Sequence, residues 1–307
     1  MYHLADLDGH CSGALARFFC ELEGSYPCMF PMNYGYDLPE EVFGMDNVIM
    51  LDFSLDYDSM AGLKEVFGDN FVWIDHHGPA INEMLELFIH GKQKTGEAAC
   101  ELAWKYYAPS FKETKGLDMP ELVELLGRYD VWDQSDSTRW SEEILPFQYG
   151  MRVMETCPKR NYAWWQDRFK EYIYPGASAF KNKKRLYRVI TEKQRDGRVI
   201  LEYQKQQDRK YMDAYAFNCK FRGQPAVAVN RGMINSRSFE SVYNPVIHTF
   251  MIAFSRKSNG KYIVSVYSEE EGIHCGIIAK EYGGGGHAGA AGFTLSVDPV
   301  TAGVIEI

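Results

Sequence analysis

The sequence predicts an α/β protein whose first half is a parallel β-sheet flanked by helices. Short apolar runs alternate with segments in which apolar residues recur at helical spacing. Such alternation is typical of β-α-β units, which build parallel sheets through right-handed connections. Side chains that can bind metal follow the apolar runs, at the sheet edge where open α/β proteins bind ligands. The same pattern therefore indicates both a fold class and a candidate site.

The elements of the first half can be assigned in order. Strands are expected at residues 1–5, 48–51 and 71–74. Helices are expected at residues 11–22, 60–67, 96–107 and 120–132. Asp6–Gly9 is predicted to be a turn, Gly24 to end the first helix and Ser59 to cap the second.

The second half has a different pattern. Beyond about residue 150, long polar helices carry the apolar anchors Trp164, Trp165, Phe169 and Tyr172. Gly197 is expected to interrupt them, with a new helix running from Arg198 towards Tyr215. Two strands at residues 226–229 and 262–266, a hairpin turn at 258–260 and a helix ending at Tyr282 then predict a smaller α/β domain. We expect three segments: a parallel-sheet domain that holds the candidate site (1–150), a helical connector (151–217) and a smaller α/β domain (218–307).

Composition excludes several classes of protein. The 307 residues are 46% hydrophobic and 24% charged, which is ordinary for a soluble globular protein. No apolar run approaches the roughly 20 residues that cross a bilayer, and the N-terminus does not resemble a signal peptide. The seven cysteines form no CxxC pair, which favours reduced thiols and a cytoplasmic location. A net charge of -9 argues against a protein that coats nucleic acid, although residues 151–215 are basic.

Groups that can bind metal or move protons follow the predicted strands. They are Asp6, Asp8, Asp52, Asp75, His76 and His77. The carboxyl ends of parallel strands share one edge of a sheet, so we expect these groups to lie together. Taken alone, the triplet Asp75–His77 fits a solvated loop equally well, and Asp6–Gly9 fits an ordinary turn. Their coincidence at strand ends favours one site.

Crowded carboxylates repel one another unless cations neutralise them, so this set predicts a metal site. Oxygen-rich ligation with one or two imidazoles suits Mn²⁺ or Mg²⁺, and also Fe²⁺ or Co²⁺, better than structural zinc. Two such ions, roughly 3.5–4 Å apart, activate water and clamp the oxygens of a phosphoryl group. Asp130 is a further candidate ligand, although its local sequence favours a plain polar residue at a helix end.

The run from Gly283 to Phe293 stands out in composition. Consecutive glycines can expose backbone N–H groups in an anion-binding nest, and His287 could add a donor. A flexible linker is the alternative, but linkers usually carry serine and other polar residues. No Gly-Lys-Ser/Thr sequence follows, so the run is not a P-loop.

Four motifs in order resemble those of the DHH/DHHA1 phosphoesterases, a family related to RecJ. They are Asp6-Leu7-Asp8-Gly9, Leu51-Asp52-Phe53-Ser54, Ile74-Asp75-His76-His77, and Gly284-Gly285-Gly286-His287 with Ala290-Ala291-Gly292-Phe293. The resemblance covers nearly the whole chain and implies a DHH domain first and a DHHA1 domain last. Family members include exonucleases, nanoRNases (oligoribonucleases), bisphosphate phosphatases, cyclic-dinucleotide phosphodiesterases and pyrophosphatases, so the substrate stays open.

The resemblance also implies roles at the metal site. Asp6 would bind one Mn²⁺ and Asp52 would bridge both. Asp8, His76 and Asp130 would hold the second ion. Asp75 would support the site, and His77 would face the scissile phosphate as a catalytic residue. Several relatives carry a ligating histidine where this chain has Tyr2, so His3 is either a displaced ligand or a strand residue pointing elsewhere.

On the substrate side, the resemblance implies that the glycine loop of the second domain binds a distal phosphate or the nucleotide. The expected contacts are Gly284, Gly285, Gly286, His287, Ser268 and Arg231. The family often has Arg-Ser where this chain has Tyr267-Ser268, so a phosphate-binding cation is in doubt. Arg231 or Arg237 could supply it, or either could be a surface residue.

The sequence therefore predicts a Mn²⁺-dependent phosphodiesterase or phosphatase that uses water activated by two metal ions, with Mg²⁺ or Co²⁺ as substitutes. Its expected partners are short single-stranded oligonucleotides or small nucleotide phosphates, with no membrane. A homodimer is compatible with the sequence. The alternatives are an exopolyphosphatase or pyrophosphatase, and a non-catalytic nucleotide sensor. The phosphoester or polyphosphate that is turned over identifies the kind of enzyme, whereas tight ligand retention without product identifies a sensor.

Overall fold

The computed structural model describes residues 1–174 and 179–307, and the side chains of all of these except 179–184. Contacts within the chain divide it into two units, residues 1–201 and 202–307. Each unit has its own β-sheet and its own apolar core. Among the described residues, no helix is both long enough and apolar enough to cross a bilayer.

The sheet of the first unit has five parallel strands in the order β2-β1-β3-β4-β5. The strands are β1 (Tyr2–His3), β2 (Pro31–Met32), β3 (Val48–Leu51), β4 (Phe71–Asp75) and β5 (His90–Gln93). In the β3–β4 register Leu51 lies opposite Ile74, so the residues that follow them leave the sheet side by side. The predicted parallel-sheet α/β fold is confirmed.

Helices cover this sheet and extend beyond it. They are α1 (Leu7–Leu22), α2 (Tyr57–Phe67), α3 (Gly78–Glu83), α4 (Ala99–Tyr107), α5 (Glu121–Asp130), α6 (Ser137–Arg139), α7 (Leu145–Met151), α8 (Pro158–Ile173) and α9 (Ala179–Tyr215). Short 3₁₀ turns occupy Glu40–Gly44, Gly68–Asn70, Leu85–Leu87 and Ala108–Ser110, and Trp140–Ile144 is a π-helical turn. The main core lies between α1, α4, α5 and α8, where Phe19 and Trp165 are fully buried.

Two helix starts differ from the prediction. Residues Leu7–Gly9 are the first turn of α1, not a separate turn, because the Asp6 carboxylate accepts the Gly9 N–H at 2.8 Å and caps the helix. The cap of α2 is Asp56 rather than Ser59, whose own N–H donates to the Asp56 carboxylate at 3.0 Å. In both cases an aspartate outside the apolar pattern supplies the capping oxygen.

The predicted break at Gly197 is wrong, since α9 runs through it without interruption. A Cβ added at Gly197 would lie 1.7 Å from the carbonyl oxygen of Pro146. A Cβ at Gly150 would likewise lie 1.9 Å from the carbonyl oxygen of Lys193. Gly197 therefore permits close contact between α9 and α7 because it lacks a side chain. It does not break the helix.

The second unit has a seven-stranded mixed sheet in the order β10-β11-β9-β8-β7-β6-β12. Its elements are β6 (Phe217–Phe221), β7 (Gln224–Asn230), β8 (Phe250–Arg256), β9 (Tyr262–Tyr267), α10 (Cys275–Glu281), β10 (Gly285–Gly286), β11 (Ala290–Leu295) and β12 (Ile305–Glu306), with a 3₁₀ turn at Ser236–Phe239. Only β7 and β8 pair in parallel; the other neighbours are antiparallel. The predicted strands and the hairpin turn at 258–260 are present.

Candidate metal centre

Carboxylates and imidazoles gather at the carboxyl edge of the five-stranded sheet. They come from the ends of β1, β3 and β4, from the start of α1 and from the end of α5. The set comprises His3, Asp6, Asp8, Asp52, Asp75, His76, His77 and Asp130, and most of its members are buried. The sheet edge predicted from the strand pattern thus holds every candidate ligand named from the sequence.

One group consists of His3, Asp6 and Asp52, whose ligand atoms all lie within 4.8 Å of one another. His3 Nδ1 is 2.7 Å from Asp6 Oδ2 and 3.5 Å from Asp52 Oδ2. Gly9 lets α1 start this close to β1, because a Cβ there would be 2.3 Å from the His3 carbonyl oxygen. His3 therefore points into the carboxylate cluster, and its role as a metal ligand stays a prediction. Tyr2 is fully buried and its hydroxyl contacts Cys157 Sγ at 2.9 Å.

A second group consists of Asp8, His76 and Asp130, again within 4.8 Å of one another. His76 Nε2 is 3.2 Å from Asp130 Oδ2 and 3.7 Å from Asp8 Oδ2. Both oxygens of Asp8 accept backbone N–H groups at the start of α4, from Ala99 at 2.8 Å and Cys100 at 2.7 Å. These two bonds to the N-terminus of α4 fix the direction of the Asp8 carboxylate. No sequence pattern had indicated this contribution of α4.

Asp52 belongs to the first group and also faces the second. Its Oδ1 is 3.3 Å from His76 Nε2, while its Oδ2 faces His3. The residue has φ 63°, a left-handed conformation that non-glycine residues adopt rarely and that aspartate tolerates better than most. Backbone strain of this kind concentrates at functional sites. Among the described residues, nothing hydrogen-bonds to the buried Asp52 Oδ1, an oxygen that a cation would satisfy.

The electrostatics of the cluster suit bound cations. Burial, followed by the negative charge of Asp8, raises the pKa values of Asp52 and Asp130 well above the usual carboxylate value. Burial lowers the pKa of His3, but hydrogen bonds to Asp52 and Asp6 outweigh it and raise that pKa to about 10. Carboxylates crowded in this way are costly without positive charge. The oxygen-rich donor set with two imidazoles fits Mn²⁺ or Mg²⁺.

Asp75 and His77 form a pair beside these groups. Asp75 is fully buried, and its Oδ1 accepts the N–H of His76 at 2.7 Å and the N–H of His77 at 3.2 Å. The same oxygen is 2.7 Å from His77 Nδ1. Because a carboxylate only accepts, Nδ1 carries the proton, and Nε2 is the nitrogen turned away from Asp75. Asp75 therefore fixes the backbone conformation at His76 and His77 and the orientation of the His77 ring.

One aromatic side chain at this edge had no sequence signal. Tyr34, in the loop after β2, places its ring 5.5 Å from the ring of His3 and is 58% exposed. The local sequence, Asn33-Tyr34-Gly35-Tyr36, indicates only a turn.

Comparison with known proteins tests the resemblance. Residues 242–304 match the DHHA1 domain family. The chain carries a DHHA1 domain. No curated protein sequence matches it.

Two solved structures show the fold of the whole chain. One is described as a pGpG-specific phosphodiesterase, PggH, from Vibrio cholerae; it is 11% identical, covers 98% of this chain and 96% of its own, and has a TM-score of 0.50. The other is described as a DHH domain from a member of the s1p family of ribosomal proteins; it is 13% identical, covers 99% of this chain and 83% of its own, and has a TM-score of 0.55. The predicted resemblance to the DHH/DHHA1 family is confirmed.

The glycine run of the DHHA1 domain forms a tight hairpin edge. Gly283 and Gly284 donate their N–H groups to the carbonyl oxygens of Lys280 and Ala279, at 2.9 Å each. His287 donates its N–H to Ala290 at 2.8 Å, and Gly285–Gly286 pair with β11. Three of these N–H groups are already hydrogen-bonded within the domain. The run therefore does not form a simple open anion-binding nest. Their role in substrate binding stays a prediction.

Two other predicted substrate residues are also engaged. Arg231 Nη1 lies 2.9 Å from Asp208 Oδ1, and its guanidinium lies 4.6 Å from the centre of the Tyr211 ring. Arg231 thus ties the end of α9 to the sheet of its own unit. Ser268 donates its hydroxyl to the Thr249 carbonyl at 2.8 Å. Arg237 makes no ion pair with any residue that the structure describes.

Proposed function

We propose that this protein is a metal-dependent phosphoesterase that hydrolyses short oligonucleotides or small nucleotide phosphates. The observation that carries the proposal is the presence of two ligand groups at one sheet edge, with Asp52 of the first group 3.3 Å from His76 of the second. A DHHA1 domain and the fold of a described phosphodiesterase support it. The acidic net charge of -9 favours short substrates over a long duplex, which would need a wide basic channel.

Each residue group has a defined task in this proposal. His3, Asp6 and Asp52 would hold one divalent cation. Asp8, His76 and Asp130, together with Asp52, would hold the other. Two divalent cations supply a nucleophile at neutral pH and neutralise charge on a phosphoryl group. Mn²⁺ is the proposed metal, with Mg²⁺ or Co²⁺ as substitutes, because oxygen ligands dominate the set.

His77 is the proposed proton-transferring residue. Its Nδ1–H bond to Asp75 holds the ring in one tautomer and stabilises the charged ring once Nε2 is protonated. From that position Nε2 would donate a proton to the leaving oxygen or a hydrogen bond to the phosphate. The ring is mostly buried yet keeps a solvent-accessible side, so a substrate can reach it.

Substrate class is tested by assay with Mn²⁺. The first compound is pGpG, because the structural neighbour is described as specific for it. A long single strand, 3′-phosphoadenosine 5′-phosphate and polyphosphate complete the set. Turnover of polyphosphate alone would favour an exopolyphosphatase, and tight binding without product would favour a sensor. The absence of turnover of any phosphoester with any divalent ion would sink the proposal.

Asp52→Asn is the sharpest variant. It removes the charge of the carboxylate that faces both His3 and His76, while keeping the side-chain shape and a residue that tolerates positive φ. We expect kcat to fall by more than about 100-fold, since losing even an outer partner of a metal site costs about 10–100-fold. Asp58→Asn, an exposed aspartate on α2, is the matched control and should keep wild-type activity. Equal activity in the two variants would refute the assignment.

A further inference from the structure

Arg152 is an exposed arginine held in place by aromatic rings. It follows α7, and its guanidinium lies 4.8 Å from the centre of the Tyr149 ring and 5.4 Å from that of Tyr129. Its Nη2 also donates to the Tyr129 hydroxyl at 3.1 Å. Stacking on aromatic rings stabilises a cation without neutralising it. The side chain is therefore oriented before any ligand arrives.

No carboxylate balances this charge among the residues that the structure describes. Every other arginine of residues 1–201 has a carboxylate oxygen within 3.9 Å. These are Arg17, Arg128, Arg139, Arg160, Arg168, Arg185, Arg188, Arg195 and Arg198. Arg152 offers five N–H donors, of which the Tyr129 bond uses one. Its remaining donors form a planar fork that suits phosphate.

Arg152 is connected to the candidate metal centre through Tyr129 of α5. Tyr129, which holds it, directly precedes Asp130, whose Oδ2 is 3.2 Å from His76 Nε2. The segment that Arg152 begins then reaches Thr156, whose hydroxyl is 2.8 Å from Nδ1 of His10 in the first turns of α1. The segment 152–156 thus runs from the Asp130 side of the cluster to the α1 side. Arg152 is thus linked to residues next to the cluster both through Tyr129 and through the segment that follows it.

Resting on the function proposed above, we propose that Arg152 binds a phosphate of the substrate other than the one that is cleaved. The scissile phosphate would lie against the carboxylate and imidazole groups, one side chain away from the guanidinium. The preferred substrates would then carry two phosphate groups close together. A dinucleotide with a 5′-phosphate has this arrangement, whereas the same dinucleotide without it lacks the second anion.

The test compares the hydrolysis of pGpG and GpG, with Mn²⁺, by the wild-type protein and by the Arg152→Gln variant. Because Arg152 is exposed, loss of its charge-assisted bond to phosphate should raise KM for pGpG about tenfold. KM for GpG should change less than about twofold, and kcat for either should stay close to wild type. Arg152→Lys, which keeps the charge and loses the fork, should recover part of the effect.

Arg188→Gln is the matched control, since Arg188 is exposed on α9 and pairs with Glu192. It should leave both KM values unchanged.

If the wild type cleaves the bisphosphate nucleotide but neither dinucleotide, the two compounds to be compared become 3′-phosphoadenosine 5′-phosphate and a nucleoside monophosphate. Equal changes for both members of a pair, or none for either, would overturn the role of Arg152 while leaving the phosphoesterase proposal intact. A wild type inactive on every phosphoester would remove both.

Discussion

Asp52 is the residue of the candidate site with the most unfavourable local environment. It combines a positive φ with burial beside other carboxylates, and both features are unfavourable without a ligand. Its neighbours are fixed independently: Asp8 by the N–H groups of α4 and His77 by Asp75. The ligand directions are therefore set by the surrounding protein before a cation binds.

Protons should compete with metal at His3. A histidine nitrogen binds metal only after losing its proton, and the pKa of His3 is raised from 6.5 to about 10. Affinity for Mn²⁺ should consequently rise with pH, by up to about tenfold per pH unit for each proton displaced. Titration calorimetry between about pH 6.5 and 8.5 measures this slope. In His3→Gln the slope should be smaller; an identical slope in both proteins would contradict the role of His3.

The same pKa shifts determine how the stability of the metal-free protein changes with pH. The His3–Asp6 pair contributes stability that is fully present below the unfolded histidine pKa of 6.5 and is lost as pH rises through about 10. On the acid side the pKa of Asp6 is lowered from 3.8 to about 2: burial raises it, but the bond to His3 outweighs burial. That contribution is present above 3.8 and disappears as pH falls through about 2.

At the scale of elements, the contact between α9 and α7 depends on two glycines. Gly197 faces the Pro146 carbonyl, and Gly150 faces the Lys193 carbonyl, at distances that leave no room for a Cβ. The contact fixes α7, from which the segment carrying Arg152 continues. A residue that sequence rules treat as a helix breaker is here a packing residue.

Gly197→Ala should therefore destabilise the protein although alanine is the better helix former. Overpacking of this kind costs about 1–3 kcal/mol. Gly62→Ala in α2 is the matched control, because no atom lies within 4 Å of the added Cβ. Gly62→Ala should raise the free energy of unfolding by about 0.5–1 kcal/mol. Urea unfolding of both variants measures the two free energies, and a stabilised Gly197→Ala would show that the helices are not in close contact.

At the scale of the whole molecule, the candidate ligands all belong to the first unit. The sheet with His3, Asp52 and His76 lies within residues 1–201, whereas the DHHA1 match lies within residues 202–307. Each unit has a separate apolar core. The proposed metal binding therefore involves residues of one unit, which permits a test that does not depend on catalysis.

Mn²⁺ should slow amide hydrogen exchange in β3 and β4 and leave β8 and β9 unchanged. At a free concentration of 100 times Kd, binding stabilises the folded unit by about 2.7 kcal/mol. Exchange measured by mass spectrometry, with and without EDTA, reports each strand separately. Asp52→Asn should lose most of the added protection. Equal protection of β8 and β9 would contradict a metal site confined to the first unit.

Much of this protein follows from local pattern. Apolar runs and helical spacing predicted the α/β class, the strands β3, β4, β7 and β9, and the long polar helices, because hydrophobic periodicity depends on residues close in the chain. Since parallel strands share a carboxyl edge, the same pattern brought Asp6, Asp52 and His76 to one place. Asp130 needed the family resemblance, because a lone aspartate at a helix end carries no signal of its own.

Tertiary structure decided what depends on residues distant in sequence. The direction of His3 follows from how α1 crosses β1 at Gly9, and the hold on Asp8 comes from α4, about ninety residues later. Arg231 is paired with Asp208, and Arg152 is left without a carboxylate among the described residues, only because of which helices meet. Sequence alone thus determined which groups reach the sheet edge. Packing decided which atoms face one another, because that depends on contacts that no local pattern encodes.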